Sequence, residues 1–383
     1  MIDLIKPFPG ESEDSFAKRN AYYIRILRPR LLYGENLIKL YTPNGVPITE
    51  SEKEEIDAFW TKFLEPKLRE KLVDYQYYNV FKNVINDGQR LSSFIPDTFY
   101  YAYVDDYFTN PQHSNPCDDK NLYDLYFYDV NKAKTLFRKV NGLFLDDNYS
   151  EISQKQAISI AKENPEIVIK VAKWSEGGKG ILFWNSIDDD ESKLLDFLMS
   201  SNNLVCQEVI RQHQTLSELN PTSINTIRLM TFVFEDKVYM LSSFIRFGAH
   251  GNRMDNVHSG GFACGLQKDG QLKKYALDLA GTRYEYKPNG KPLDQFKVPN
   301  YEKCVEMATR LARRFASVSR LISWDLAIDE MGNPLVVEFN ITFGGINFHQ
   351  LCNGPLFGEL TESVLEEVFR NSYTLKSIIK SFQ

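Results

Sequence analysis

Residues 324–340 read WDLAIDEMGNPLVVEFN, an apolar stretch that nonetheless carries Asp325, Glu338 and Asn340. ISWDLAI (322–328) and PLVVEFN (334–340) are rich in β-branched and aromatic residues, and DEMGN (329–333) between them has turn chemistry. The pattern predicts an antiparallel hairpin. Side chains alternate across a strand, so Glu338 and Asn340 share a face. Pairing Ile328 with Leu335 sets Asp325 opposite Glu338, and a one-residue slip would turn the whole face over. Opposed side chains have Cβ atoms about 4.5–5.5 Å apart. Two negative charges about 4 Å apart repel by roughly 4 kcal/mol at an effective dielectric of about 20. A shared proton or a cation must offset that repulsion. Two carboxylates and an amide oxygen are hard donors that suit Mg²⁺, an ion that keeps several waters and also binds phosphates. The competing reading is an exposed hairpin whose charges are merely solvated.

The bulk properties bound what surrounds this hairpin. The chain has 383 residues, 43% hydrophobic and 25% charged, which predicts an ordered globular protein of two or three packed lobes. A formal net charge of −6 argues against nucleic acid as the main partner. Five cysteines are scattered without CxxC spacing, which fits a reducing compartment and neither a zinc site nor a disulfide framework. MIDLIKPFPGESEDSF lacks the basic-then-apolar pattern of a signal peptide, and no apolar run approaches the roughly 20 residues of a membrane span. The expectation is a soluble, cytoplasmic protein without a transmembrane segment. The aromatic runs YQYYNVF (75–81) and TFYYAYVDDYF (98–108) read first as packing, with a carbohydrate- or partner-binding face as the alternative.

Along the chain, Thr49 and Glu52 form a capping box that opens an amphipathic helix with Ile56, Phe59, Trp60 and Phe63 on one face. Residues 65–95 read as continuing helix, and 95–119 end in a Pro/Asn/Ser-rich connector. Short strands then alternate irregularly with helices: KTLFRKVNG, a helix opened by Ser150 or Ser153, EIVIKVA, ILFW, a helix at ESKLLDFLMSS and LVCQEVI. The long strands TIRLMTFVF, KVYMLSSFIRF and GGFACGLQK follow, then a helix at CVEMATRLARRFASV. The irregular order favours α+β lobes with largely antiparallel sheets over a doubly wound fold.

A second constellation is KVAKWSEGGKG (170–180). Glycines in a turn between strands let backbone amides approach phosphate oxygens. The stretch is not a Walker A loop, since GxxxxGK[ST] is absent and a strand follows. A plain Gly-rich hairpin turn is the simpler reading of the glycines alone. Lys170, however, interrupts the apolar strand EIVIKVA, where a buried ammonium needs an anionic partner, either a phosphate or a buried acid.

The order of these motifs resembles the ATP-grasp superfamily, more narrowly its sugar-transfer-associated branch, over about residues 85–375. Carrying the resemblance are DDKNLYDLYF, VIKVA, SEGGKG, CQEVI, PTSINTIRLMT, DNVHSGG and the Asp…Glu-x-Asn hairpin. It implies an ATP-grasp fold of two α+β lobes clasping ATP, with a mainly helical region over 1–90, one lobe over 91–203 and the other over 204–383. It also implies Lys120 and Lys170 as phosphate-binding lysines, and Ser175, Glu176, Gly177, Gly178, Lys179 and Gly180 as the loop over the phosphates. Gln207, Glu208, Val209 and Ile210 would be the hinge that holds adenine, with Asp325, Glu338 and Asn340 the ligands of one or two Mg²⁺ ions. Where many relatives place a ribose-binding acid this chain has RQHQTL (211–216), which offers only His213 or Gln214.

The implied chemistry is γ-phosphoryl transfer from ATP to a carboxylate, followed by attack of an amine, or of a thiol, on the acyl phosphate. Such a reaction needs cations around an anionic centre. Arg228 and Arg246, each interrupting an apolar strand, suit that role, against the alternative of structural ion pairs. Asn256 and His258 in DNVHSGG face the acceptor side on this reading, Asn256 positioning substrate and His258 taking the amine proton. Gly344 and Gly345 would shape a turn beside the metal hairpin. The branch name suggests small-molecule carboxylate and amine substrates, with a sugar or cell-surface glycan precursor receiving an amino acid. Two other functions fit the motifs: a kinase of a hydroxyl acceptor, and a non-catalytic nucleotide-binding module of a glycan pathway.

Overall fold

The computed structural model describes residues 7, 10–41, 44–86, 88–109, 114–173, 180–249, 251–372 and 375–376. Its strands are β1 (Thr135–Val140), β2 (Leu143–Asp146), β3 (Glu166–Val171), β4 (Ile181–Asn185), β5 (Leu204–Glu208), β6 (Ile227–Phe234), β7 (Lys237–Phe247), β8 (Phe262–Leu266), β9 (Leu272–Leu277), β10 (Arg283–Tyr284), β11 (Leu321–Ile328) and β12 (Pro334–Asn340). They form two antiparallel sheets, one ordered β2-β1-β5-β3-β4 and the other β10-β9-β8-β7-β6-β11-β12. β5 lies at the centre of the first sheet, so the break between the two sheets falls after Glu208 rather than after residue 203.

Helices Gln154–Glu163 and Glu191–Ser200 cover the smaller sheet, burying Ala157, Ala161, Leu194 and Leu198 on Ile167, Ile169, Leu204 and Cys206. Ser153 caps the first of them in a capping box with Gln156. In the larger sheet, alternation sends the side chains of one strand to two cores. Ile227, Leu229, Trp324 and Leu326 pack with Leu311 and Ala312 of helix Tyr301–Arg314. Met230, Phe232, Phe234, Phe244 and Leu321 point the other way, into a layer built from residues 23–108 and from helix Thr361–Asn371.

That second layer is where the aromatic runs lie. Residues 97–108 form one helical run with a wide π turn over Tyr100–Asp105, and Tyr100, Tyr101 and Tyr103 are buried. Trp60 stacks edge-on to Phe99 at 5.0 Å and donates to the Tyr78 hydroxyl at 2.7 Å. The Thr49–Glu52 capping box forms as the sequence indicates. Residues 65–95 are not one helix: Pro66–Leu72 and Gln76–Phe81 are separate, and a short turn follows at Leu91–Ser93. Gln350 ties the layer to the sheet lobe, accepting from the Ile95 N–H at 3.0 Å and donating to its carbonyl at 2.9 Å. Among the described residues no helix is long and apolar enough to cross a membrane.

Asp97 is a buried acid in this core, and among the described residues neither of its carboxylate oxygens has a hydrogen-bond partner. Burial pushes its pKa up to about 8, so the folded protein holds it protonated at neutral pH. The unfolded chain releases that proton above about pH 4, so this residue lowers stability progressively as pH rises from about 4 to about 8. Asp97→Asn should therefore raise the unfolding midpoint, and by more at about pH 7.5 than at about pH 5. Thermal melts of both proteins at the two pH values check this; an equal gain at both would contradict it.

Candidate functional site

One row of the larger sheet carries the charges. β-Pairing sets Phe244 beside Arg228, Arg228 beside Asp325, and Asp325 beside Glu338. Their neighbours in sequence, Ile227, Leu229, Trp324, Leu326 and Phe339, are buried in the opposite core, which forces this row onto the other face. Arg246 lies two residues past Phe244, and Asn340 two past Glu338, so both share that face. The expected pairing of Asp325 with Glu338 is present, but by a different route. Ile328 pairs with Pro334 and Leu326 with Val336, and an extra residue, Val337, then restores Asp325 to Glu338. The hairpin contains a β-bulge that the turn alone did not indicate.

The repulsion between the two carboxylates is offset by protein cations. Arg228 grips Asp325 through Nε and Nη2, the latter at 2.8 Å, and Arg246 Nη2 reaches the same carboxylate at 2.9 Å. Glu338 is paired instead with Lys120 at 2.7 Å. Burial alone would raise the Asp325 pKa, but the Arg228 and Arg246 guanidiniums hold it below the usual carboxylate range. Burial opposes the charge on Lys120 as well, and Glu338 outweighs it, so this ammonium is held above its usual value. Arg246 is fixed from behind: Thr226 Oγ1 accepts from it at 2.8 Å, and Asp255 lies 3.5 Å from its Nε. Asp255 also accepts from the Thr226 hydroxyl. Burial works against the Arg246 charge, and the surrounding acids Asp255, Asp325 and Glu338 raise its pKa despite that.

The smaller sheet supplies the opposite wall of a cleft of about 1360 Å³. Lys170 on β3 and Phe183 on β4 line it, as do Lys120, Arg228, Arg246, Asp325, Glu338 and Asn340. Lys120 is brought there because its N–H donates to the Ala172 carbonyl at 2.9 Å, just past the end of β3. Lys170 has no ion-pair partner among the described residues. Burial lowers its pKa to about 8; Glu338 partly opposes the fall and Lys120 adds to it. Gly180 ends the glycine loop with φ 74°, and a Cβ there would meet Val171 Cγ2 at 2.7 Å, so glycine is required. Ser175, Glu176, Gly177, Gly178 and Lys179 lie outside the described residues.

The remaining candidates divide by position. Glu208, Val209 and Ile210 line the cleft where the chain leaves the smaller sheet, whereas Gln207 is buried and does not line it. Glu208 pairs with Lys134 at 2.7 Å near the surface. Asn256 and His258 both line the cleft, and the Asn256 side chain accepts from the His258 N–H at 2.9 Å. Neither His213 nor Gln214 lines it; His213 caps the helix Gln214–Leu219. Thr226 and Asp255 are contributors that the sequence reading did not single out. The alternation around Thr226 and Arg228 could have indicated a shared face, but nothing local pairs Asp255 with Arg246.

The residues fit a divalent cation by donor chemistry. The Asn340 amide group donates to the Ser323 carbonyl at 3.3 Å, which leaves Oδ1 as its acceptor. Two carboxylates and this oxygen form a hard donor set of the kind Mg²⁺ takes. Among the described residues there is no group of three or more His, Cys, Asp or Glu side chains placed to hold a metal, so an ion here would use the amide and non-protein oxygens as well.

Comparison with known proteins adds the family. D-alanyl-alanine synthetase A from Vibrio cholerae is 12% identical, with a TM-score of 0.42 over 69% of this chain and 68% of that one. D-alanine–D-alanine ligase from Bacillus anthracis is 13% identical, with a TM-score of 0.39 over 72% of each. N5-carboxyaminoimidazole synthetase from Staphylococcus aureus, solved with ADP, is 10% identical, with a TM-score of 0.35 over 59% of this chain and 44% of that one. No curated protein matches the sequence. Residues 110–365, more than half of the chain, match the description "sugar-transfer associated ATP-grasp", and both antiparallel sheets and the charged residues of the cleft named above fall within that span. The chain belongs to the sugar-transfer associated ATP-grasp family and has the ATP-grasp fold.

Proposed function

We propose that the protein is an ATP- and Mg²⁺-dependent ligase that joins a carboxylate to an amine through an acyl phosphate. The observation that carries this reading is the convergence of four cations, Lys120, Lys170, Arg228 and Arg246, with Asp325, Glu338 and Asn340 in one cleft between two sheets. A nucleoside triphosphate is the kind of anion such a cleft accommodates. Its adenine would lie by Glu208, Val209 and Ile210, and its phosphates would extend toward Lys170 and Lys120.

Asp325, Glu338 and Asn340 would hold Mg²⁺, which when bound neutralises phosphate charge during transfer. The protein's own contribution is positioning. Arg228 and Arg246, already fixed by Asp325, Thr226 and Asp255, present N–H groups where a γ-phosphoryl group and a carboxylate would meet. A carboxylate oxygen of the acceptor attacks the γ-phosphorus, and the bond to the β-bridging oxygen breaks to release ADP. The amine nitrogen then attacks the acyl carbon, expels phosphate and gives up a proton, for which His258, on the cleft wall, is the candidate base. A sugar-linked partner would be in keeping with the family's description, and an amino acid would be the other substrate on this reading.

Two outcomes are expected. In calorimetry, the wild-type protein should bind ATP more tightly with Mg²⁺ than without it, and Asp325→Asn and Glu338→Gln should lose most of that difference. With carboxylate acceptors and hydroxylamine, ATP turnover to ADP and phosphate should yield a hydroxamate, because an activated carboxyl group is trapped this way and a phosphate ester is not; turnover without hydroxamate would overturn the acyl-phosphate step.

Lys170 sets a pH dependence. Phosphate binds the protonated amine, so affinity for ATP should fall as pH rises through about 8, with proton uptake on binding near that pH. Lys170→Arg, which stays charged, should flatten the profile, and Lys170→Ala should weaken binding by about tenfold at neutral pH, the size of one lost charged hydrogen bond. A wild-type profile without this fall would remove Lys170 from the phosphate site.

A further inference from the structure

The cleft continues beyond Asn340 into a part built by the helical layer, and its wall there is aromatic. Phe343, three residues past Asn340, has φ 53° although it carries a large side chain. A bulky residue in this conformation is strained and needs a reason. The residue is 37% exposed and lines the cleft, so full burial does not supply that reason.

The ring is nevertheless held firmly. Tyr33, from helix Arg28–Tyr41, stands edge-on to it at 5.5 Å, and Tyr101 stacks on it at 5.7 Å and 24°. The Arg30 guanidinium lies over it at 4.7 Å and is itself paired with Asp105. Phe343 N–H donates to the same Asp105 at 3.4 Å. Tyr33 also lines the cleft, whereas Tyr101 is buried behind it. The next residue, Gly344, places its carbonyl oxygen 3.5 Å from Arg228 Nη1. An aromatic surface is thus set beside the guanidinium that grips Asp325.

We propose that Phe343 and Tyr33 form the wall of the acceptor pocket and select a carboxylic acid with a flat, largely apolar ring face. This rests on the ligase reading for the identity of the anionic end. The carboxylate of such a substrate faces Arg228 and Arg246, and its ring lies on Phe343 with Tyr33 at the side. The layer built from residues 23–108 then has a role besides packing: it holds a strained aromatic residue at the reacting end of the cleft. Tyr33 and Phe343 are specificity-determining residues and take no part in phosphoryl transfer.

Saturation-transfer NMR on the full chain tests this with three probes, 3-phenylpropionate, glucuronate and acetate, each with and without Mg²⁺ and the non-hydrolysable analogue AMP-PNP. At least one ring-bearing acid should receive saturation and acetate none; the aryl and sugar acids distinguish the two sources of such a ring. Phe343→Gly removes the ring and relieves the backbone, which offsets part of the packing lost with Tyr33, Tyr101 and Arg30. In it, and in Tyr33→Ala, the ring-bearing probe should bind about tenfold more weakly, the size of one aromatic contact. AMP-PNP affinity, measured by calorimetry, should be unchanged in both. Equal transfer to acetate, or ring-probe binding unaltered in both variants, would overturn the proposal. If AMP-PNP binds and neither ring-bearing acid does, the pocket assignment fails and the nucleotide site stands. If a ring-bearing acid binds as expected and AMP-PNP does not, the ligase reading fails and the aromatic wall stands.

Discussion

The row Arg228–Asp325–Glu338–Lys120 is the interaction on which the rest of this structure depends. Two carboxylates opposed in a hairpin would repel by roughly 4 kcal/mol at an effective dielectric of about 20. Here the adjacent carboxylates are flanked by cations, Arg228 and Arg246 on Asp325 and Lys120 on Glu338. The Lys120 pair also binds the two sheets to each other. Lys120 is hydrogen-bonded to the end of the smaller sheet at Ala172 and paired with Glu338 on the larger one.

Apolar alternation sets where that row points. Ile227, Leu229, Trp324, Leu326 and Phe339 fill the core under helix Tyr301–Arg314, so the intervening charged residues must face the other side. The same face is covered elsewhere by the aromatic helical layer, through Met230, Phe232, Phe234 and Leu321. The Arg228, Arg246, Asp325 and Glu338 charges occupy the part of the face that lines the cleft toward the smaller sheet. A single sheet surface thus serves as a core along most of its length and as a cleft wall at one end. The strain at Phe343 lies where the two meet.

Much of this was legible in the amino-acid pattern. The apolar periodicities located β1, β3 to β8, β11 and β12, and the helices Gln154–Glu163, Glu191–Ser200 and Tyr301–Arg314, because each element buries one face against its own lobe. The opposition of Asp325 and Glu338 was legible too, although the pairing that led to it was one residue off at Ile328 and was corrected by a bulge at Val337. A bulge depends on packing along both sides of a strand, and the hairpin sequence carries little trace of it. The placement of β5 in the smaller sheet was also hidden, since an apolar run such as LVCQEVI states that it is buried and not which partner strands it joins.

What the sequence by itself determined is the inventory: a lysine in an apolar strand, a glycine-rich connection, two arginines interrupting strands, and the Asp…Glu-x-Asn hairpin, in an order that marks the family. These are local signals, written in the clash between a charged residue and an apolar neighbourhood. Only the tertiary structure decided the partners. Lys120 and Glu338 are more than two hundred residues apart in the chain, Arg246 is held by Thr226 and Asp255, and Tyr33 reaches Phe343 from the opposite end of the protein. Such pairings come from the packing of whole sheets and layers, and each charge or ring then takes the nearest group that compensates its burial. A sequence shows which residues need a partner; the fold chooses which partner each one gets.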